Sequence, residues 1–253
     1  MSNHIYTNFH GILLYRKPYK EHDLLIKFLT AEAGKKMFFV RGAMKPRFKM
    51  TADILPFTYG EYSGNLSPNG LSYIISALDI SHYNNISQNI DLNAYATYIM
   101  GLIDAAFPDS TPIFRWFNQL FYGLRLIDHG IDPAIITNIF EIQLLPVFGV
   151  APQLKHCVIC GRSDLPMDFS EIYGGLLCEN HFSMDPRRMH FDKRTIYYLR
   201  KFSVINLKQI RSIKVHHQVK QNLRMLLDDI YKNEVGLNLK SKHFLDQMNR
   251  FHI

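Results

Sequence analysis

Residues 7–41 read TNFHGILLYRKPYKEHDLLIKFLTAEAGKKMFFVR, and this stretch decides the fold class. In Thr7–Arg16, Phe9, Gly11, Leu13 and Tyr15 fall on one face and His10, Ile12, Leu14 and Arg16 on the other, the period of two that a strand requires. Pro18 marks a turn, after which Asp23–Thr30 alternates Leu24, Ile26 and Phe28 against Leu25, Lys27 and Leu29. Glu32 to Lys35, with Gly34, reads as a hairpin connection, and Lys36–Arg41 as a third strand. Beyond a basic loop, Thr58–Ser63 and Leu71–Ala77 bracket the turn Gly64–Gly70. Five short strands with a longer loop between the third and fourth predict a small closed barrel of the OB type; a five-stranded open sheet is the alternative.

From Asp91 the apolar period becomes helical. Asp91–Phe107 ends at Pro108, and Pro112–His129 has Thr111 placed to cap it and Gly130 to end it. The apolar residues of that second helix run most of the way round, which predicts a buried central element. A third helix starts with Asp132 as cap and Pro133 in the first turn and runs to about Phe148. Helices are also expected near Lys193–Phe202, Val215–Val235 and Ser241–Phe251, and the polar stretch 81–89 reads as a linker. The expected organisation is thus α+β and multidomain: an N-terminal five-stranded OB-type barrel over 1–80, then an α-helical domain over 81–253.

Inserted in the helical part, over 154–185, is a metal module. Cys157, Cys160, Cys178 and His181 make CxxC and CxxH separated by 17 residues, and they use every cysteine of the chain. Two short knuckles delivering two donors each suit a tetrahedral zinc ion. Gly161 supplies a small residue for the first turn, and Gly174-Gly175 lets the chain reverse before the second pair. His156 stands beside Cys157, where it cannot easily share a tetrahedron with its neighbour. Four protein donors close the shell, so the expected role of Zn²⁺ is structural. The bland reading is three buried thiols near a chance histidine.

The chain has 253 residues and a net charge of +7. Residues 1–80 hold 10 Lys/Arg against 6 Asp/Glu, residues 81–186 hold 4 against 11, and residues 187–253 hold 15 against 5. Two basic ends around an acidic middle point to a polyanionic partner. The candidate phosphate contacts are Arg16, Lys17, Lys20, Lys35, Lys36, Arg41, Lys45, Arg47 and Lys49, several on a Gly/Pro loop that can follow a backbone. Tyr15, Tyr19 and Phe48 are candidate stacking platforms for unpaired bases, against core packing as the alternative. No base-reading helix accompanies them, so binding without sequence preference is expected. A second basic stretch over 187–214 reads as another polyanion surface, a dock for an acidic peptide, or a wet helix face.

Ser2-Asn3-His4 does not resemble a signal peptide, and no apolar run is long enough to cross a membrane. With its thiols committed to metal, the chain is expected in the reducing cytoplasm. No phosphate-binding glycine loop, nucleophile elbow or HExxH is present, and Asp228-Asp229 diverge on a helix, so catalysis is not expected. A zinc-stapled RNA-binding or transcription-associated module and a pure assembly adaptor stay open as other readings.

The order of Gly11-Ile12-Leu13-Leu14-Tyr15-Arg16, Tyr19-Lys20-Glu21-His22-Asp23, Arg41-Gly42-Ala43, Leu55-Pro56-Phe57, Phe140-Glu141, Gly149-Val150-Ala151-Pro152, the cysteines, and Leu239-Lys240-Ser241-Lys242-His243-Phe244-Leu245 resembles the bacterial RecO family. That resemblance implies an OB-fold followed by a helical domain with a zinc finger. It also implies binding of single- and double-stranded DNA, strand annealing, and assistance, with RecR, to RecA in displacing single-strand-binding protein in the RecF pathway at the nucleoid. Relatives with the finger generally use four cysteines, and His181 takes the fourth place here. Many also carry an arginine, in the helix before the finger, where the acidic tail of single-strand-binding protein docks; this chain has Ile139.

Overall fold

A computed structural model describes residues 6–251, so Ser2-Asn3-His4 lies outside the described residues. Five strands, β1 (Thr7–Tyr19), β2 (Asp23–Thr30), β3 (Gly34–Val40), β4 (Thr58–Asn65) and β5 (Ser72–His82), close in the order β1-β2-β3-β5-β4. Every junction is antiparallel except β3–β5, which is parallel and pairs only Phe38 with Ser72 and Phe39 with Tyr73. This is the Greek-key closure of an OB-type barrel. Phe9, Phe28, Phe38 and Tyr62 fill it, with Phe9 stacked on Phe38 and on Tyr62 at 5.1 and 5.7 Å between ring centroids. Truncating such a ring to alanine costs roughly 3–5 kcal/mol.

Two details of β1 differ from the expected alternation. A bulge between Leu13 and Tyr15 leaves Leu14 unpaired, so Leu13 and Leu14 are both buried and Tyr15 turns outward. The strand also runs through Pro18 to Tyr19, and the turn falls at Lys20–His22, with Lys20 at φ 54°. Pro18 is tolerated because β1 pairs with β4 only over Thr7–Ile12; beyond that its sole partner is β2.

The expected linker is structured: β5 reaches His82 and a short helix α1 (Asn84–Gln88) follows. Asn89 then caps α2 (Ile90–Ala106), its side chain accepting from the backbone N–H groups of Asp91 and Leu92. Helix α3 (Phe114–Asp128) starts later than expected and is not capped by Thr111. The preceding segment is committed to the β2–β3 hairpin instead. Ser110 N–H donates to the Lys35 carbonyl at 2.9 Å, and the backbone of Thr111 lies so close to Gly34 (φ 68°) that a Cβ there would fall 1.9 Å from the Thr111 oxygen. Nor is α3 a central helix: Phe114 is 62% exposed, while Trp116, Leu120, Leu124 and Ile127 form one buried side.

An ion cluster ties the same hairpin to the end of α2. Lys27 reaches Asp104 and Asp109 at 2.7 and 2.9 Å, and Lys35 reaches the same two carboxylates at 3.0 and 3.2 Å. Burial alone pulls the Lys27 ammonium down, but its bonds to Asp104 and Asp109 outweigh this and hold it above the ordinary lysine value. Burial works against Asp109 too; hydrogen bonds from Lys27 and Lys35 win and hold its carboxyl low. A depressed carboxylate stabilises above its unfolded value and loses that contribution as pH falls through its folded value. The latch is therefore expected to weaken in acid, below the ordinary carboxylate range. Asp104→Ala leaves two buried ammonium groups with Asp109 as their one carboxylate, and about 3–5 kcal/mol of stability should go with it, read from urea denaturation. A loss under about 1 kcal/mol would show that apolar packing, not this cluster, holds α2.

The compact unit containing the barrel thus extends past the expected boundary at residue 80, through Gly130, and takes in the last helix α7 (Lys240–Phe251). Helix α7 lies on α2, where the Tyr95 hydroxyl donates to Asn249 Oδ1 at 3.2 Å and Lys242 sits over the Tyr98 ring at 6.0 Å.

The second unit, Ile131–Leu239, is built on α4 (Pro133–Leu144), every residue of which from Ile135 to Leu144 is buried. Asp132 caps it, as its Pro133 neighbour predicts, with Ala134 N–H at 2.9 Å. Buried polar groups on α4 find partners across the unit. Gln143 donates to the carbonyls of Phe202 and Ile205 at the end of α5 (Lys193–Val204). Glu141, fully buried, accepts a two-pronged bond from Arg224 of α6 (His217–Ile230) at 2.7 and 2.9 Å. Asp228 pairs with the same Arg224 at 2.8 Å. A π-helical turn, Tyr231–Val235, continues α6 to Gly236.

Candidate metal centre and nucleic-acid interface

The finger is framed by a hairpin, β6 (Met167–Ser170) and β7 (Gly175–Cys178), followed by a tight 3-10 turn over Glu179–Met184. Cys178 closes β7 and His181 lies in that turn. The other knuckle is folded by Gly161 N–H donating to the Cys157 carbonyl at 2.9 Å and Cys157 N–H donating to the Arg162 carbonyl at 2.8 Å. Gly161 has φ 72°, a conformation that favours glycine. Gly175 is a glycine for another reason: a Cβ there would meet the Gln153 oxygen at 2.6 Å and Val158 at 2.8 Å. The base is pinned by buried carboxylates. Asp168 accepts from the backbone of Phe169, His190 and Phe191 and meets Arg188 Nε at 3.0 Å, and Asp185 accepts from the Ser170 hydroxyl at 2.6 Å.

Cys157, Cys160, Cys178 and His181 each offer one donor, and these four atoms lie within 4.8 Å of one another. Cys160 and Cys178 sulfurs are 3.7 Å apart, and His181 Nδ1 is 3.7 Å from Cys157 Sγ and 3.2 Å from Cys178 Sγ. A tetrahedral ion with Zn–S bonds of about 2.3 Å spaces two sulfurs by about 3.8 Å, so the set fits such an ion. Burial pushes the Cys157 thiol up, but hydrogen bonds from the backbone of Cys160, Cys178 and Ile159 overcome this and hold it well below the usual thiol range. Burial, reinforced by the Cys160 and Cys157 sulfurs, drives the Cys178 thiol the other way. Crowded thiolates repel, and a divalent cation among them removes that cost. His156 stays outside the cluster, its Nδ1 facing the Cys157 carbonyl at 3.2 Å.

Of the nine candidate phosphate contacts, seven are exposed: Arg16, Lys17, Lys20, Arg41, Lys45, Arg47 and Lys49. Lys35 and Lys36 are not. They are 2% and 5% exposed, Lys35 within the ion cluster and Lys36 donating to the Ser67 carbonyl and the Ser110 hydroxyl at 2.7 and 2.8 Å. Neither side chain is available to a phosphate, so both leave the candidate set.

The exposed cations are held together by the turns that carry them. Gly42 N–H donates to Asp23 Oδ1 at 2.8 Å and Met44 N–H to the His22 carbonyl at 2.9 Å, which fastens the basic loop to the β1–β2 turn. Lys20, Arg41 and Lys45 thereby share the rim of a shallow hollow of about 390 Å³. Of the candidate stacking rings, Phe48 is half-buried against the barrel core, whereas Tyr15 and Tyr19 are exposed. Tyr19 begins an aromatic row across three strands: it meets Phe39 edge-on at 6.0 Å, and Phe39 meets the exposed Tyr73 at 6.1 Å. Lys20 stands over the Tyr19 ring at 5.5 Å. Sequence reasoning missed Phe39 and Tyr73. Their signal is that β5 buries Ser72 and turns Tyr73 and Ile75 outward, an inverted pattern visible only once the register is known.

In the second basic stretch Arg188 serves the finger, lying over the Phe182 ring at 4.2 Å, while Arg187, Lys193, Arg194, Lys201, Lys208, Arg211 and Lys214 are exposed. Ile139 is fully buried. Among the described residues no helix is long and apolar enough to cross a membrane.

Barrel, basic loop, aromatic row and a helical unit carrying a Cys3His cluster together define the class: an OB-barrel protein with a finger whose four donors could hold a metal ion. The Recombination protein O N terminal family matches residues 1–83 and the Recombination protein O C terminal family residues 87–243. The chain is 56% identical to the DNA repair protein RecO of Lactiplantibacillus plantarum over 97% of its length and 95% of that protein's. It is 58% identical to that of Levilactobacillus brevis, over 96% and 93% of the two chains, and 51% identical to that of Latilactobacillus sakei, over 99% and 92%. The chain belongs to the RecO family of DNA repair proteins.

Proposed function

We propose that the protein binds single- and double-stranded DNA without reading sequence and anneals complementary strands. In this reading it also works with RecR to help RecA displace single-strand-binding protein, in the RecF pathway, in the cytoplasm at the nucleoid. The observation that carries it is the grouping of exposed cations with the ring row Tyr19–Phe39–Tyr73 on one barrel. Cations neutralise phosphates and release counterions, and flat rings accept unpaired bases of any identity. Annealing needs no bond chemistry: two polyanions repel, and a basic surface that screens both lowers that cost. The barrel is the nucleic-acid-binding domain in this account. The metal is Zn²⁺, held by Cys157, Cys160, Cys178 and His181, and its chemistry is structural, since the protein donors complete the shell.

The test is the annealing rate of complementary strands coated with single-strand-binding protein. Addition of this protein is expected to speed annealing well above the spontaneous rate, with the gain fading as salt rises. A rate equal to that of the coated strands alone would overturn the proposal.

A further inference from the structure

One strand of the barrel keeps an open edge. β5 meets β3 only at Ser72 and Tyr73, and from Ile74 to His82 its ladder runs with β4 alone. Among the described residues no other main-chain group bonds to that stretch. The Asp79 carbonyl oxygen lies against Gly60 of β4, 2.0 Å from where a Cβ would stand, so the main-chain groups of the next residue, Ile80, point away from β4. Exposed edges are commonly blunted by lysine or proline, and β5 carries neither. Instead it turns Ile75 and Leu78 to water, 51% and 50% exposed, with Leu78 as the extra residue of a bulge opposite Glu61 and Tyr62. The edge also carries unbalanced charge. Glu61 and Asp79 are cross-strand partners, so two carboxylates share one face, which costs stability unless a cation stands with them. Glu61 accepts from the neutral Asn8 amide at 3.0 Å, and His10, next in the row, is held by Glu32 at 3.1 Å. Among the described residues no lysine or arginine pairs with Glu61 or Asp79.

We propose that the β5 edge takes an extended, basic segment of a protein partner as an added strand. The unpaired main-chain groups supply the affinity of strand addition, and side chains pointing to alternate faces supply its selectivity. Ile75 and Leu78 give the incoming strand apolar contacts, so it carries β-branched or aliphatic residues there. The carboxylates name the rest: an arginine or lysine of the partner, placed at Asp79, neutralises both members of the Glu61–Asp79 pair at once. Nucleic acid is repelled by the same two groups. A second copy of this chain, laid edge to edge, would add two more carboxylates and still no cation.

The test uses the full chain and fluorescence anisotropy with a short labelled peptide in which valine alternates with arginine. Asp79→Lys, at an exposed position, should weaken peptide binding at least about tenfold. Its melting temperature should not fall, because a lysine there faces Glu61. Ile75→Thr, which keeps a β-branched side chain, should weaken binding about threefold. The same peptide with alternate main-chain nitrogens methylated keeps its side chains and charge but cannot complete a ladder; it should bind at least about tenfold more weakly. Failure of the wild-type protein to bind the first peptide in dilute buffer would overturn the proposal. So would binding indifferent to Asp79→Lys, or equal affinity for the methylated peptide, which would reduce the contact to charge alone. Dimers of the wild-type chain in sedimentation, dissolved by Leu78→Asp, would assign the edge to a second copy instead.

Discussion

Cys178→Ser is expected to abolish stoichiometric metal binding and to unfold residues 154–185 as a unit. Cys178 is fully buried, ends β7, and lies 3.7 Å from Cys160 and 3.2 Å from His181, so its sulfur touches both knuckles. Beyond the buried carboxylates at its base, the module is two four-residue strands and a short turn, too small to order themselves in water. Structural zinc contributes about 10–16 kcal/mol of apparent binding free energy in small fingers, far more than one residue's packing. Native mass spectrometry should show about one ion per wild-type chain and none per variant. Limited proteolysis should then cut the variant first between Leu154 and Asp185, with the barrel unit resisting. Unchanged metal content, or a protease-resistant variant, would mean that packing around Asp168 and Asp185 holds the finger unaided.

The second large effect concerns the basic loop. Lys45→Glu, Arg47→Glu and Lys49→Glu together should lower affinity for single-stranded DNA about a hundredfold in dilute buffer, since each contact becomes a repulsion. The salt dependence should change with it. Each phosphate neutralised on a single strand adds about 0.7 to the slope of log K against log salt, so losing three contacts should flatten it by about 2. All three side chains are exposed, so the fold should survive, as thermal melting would report. An unaltered affinity and slope would remove these residues from the contact surface.

Much of this was legible in the chain, for physical reasons. Strands in 7–41 show because a half-buried barrel demands alternation, and Phe9, Phe28 and Phe38 supply it. The Cys3His cluster shows because tetrahedral coordination would restrict donor type and spacing together. What stayed hidden depends on partners far along the chain. Lys35 and Lys36 read as surface cations because the groups that make their burial tolerable, Asp104 and Ser110, stand 69 and 74 positions away. Helix α3 reads as central from its apolar girth, yet Phe114 faces water, and the helix surrounded on all sides is α4, which carries Glu141 and Gln143. Those polar residues hid its depth, because Arg224 and the α5 carbonyls that satisfy them come from later helices. The bulge at Leu14 leaves no local mark either, and it is what turns Tyr15 outward.

If this protein holds nucleic acid through charge, equilibrium binding of oligo-dT to the wild-type chain, followed from dilute to physiological salt, must show it. Seven exposed cations on the barrel predict tight binding in dilute buffer and a linear fall of log K with log salt, with a slope of up to about −5. No binding in dilute buffer, or an affinity that ignores salt, would contradict it.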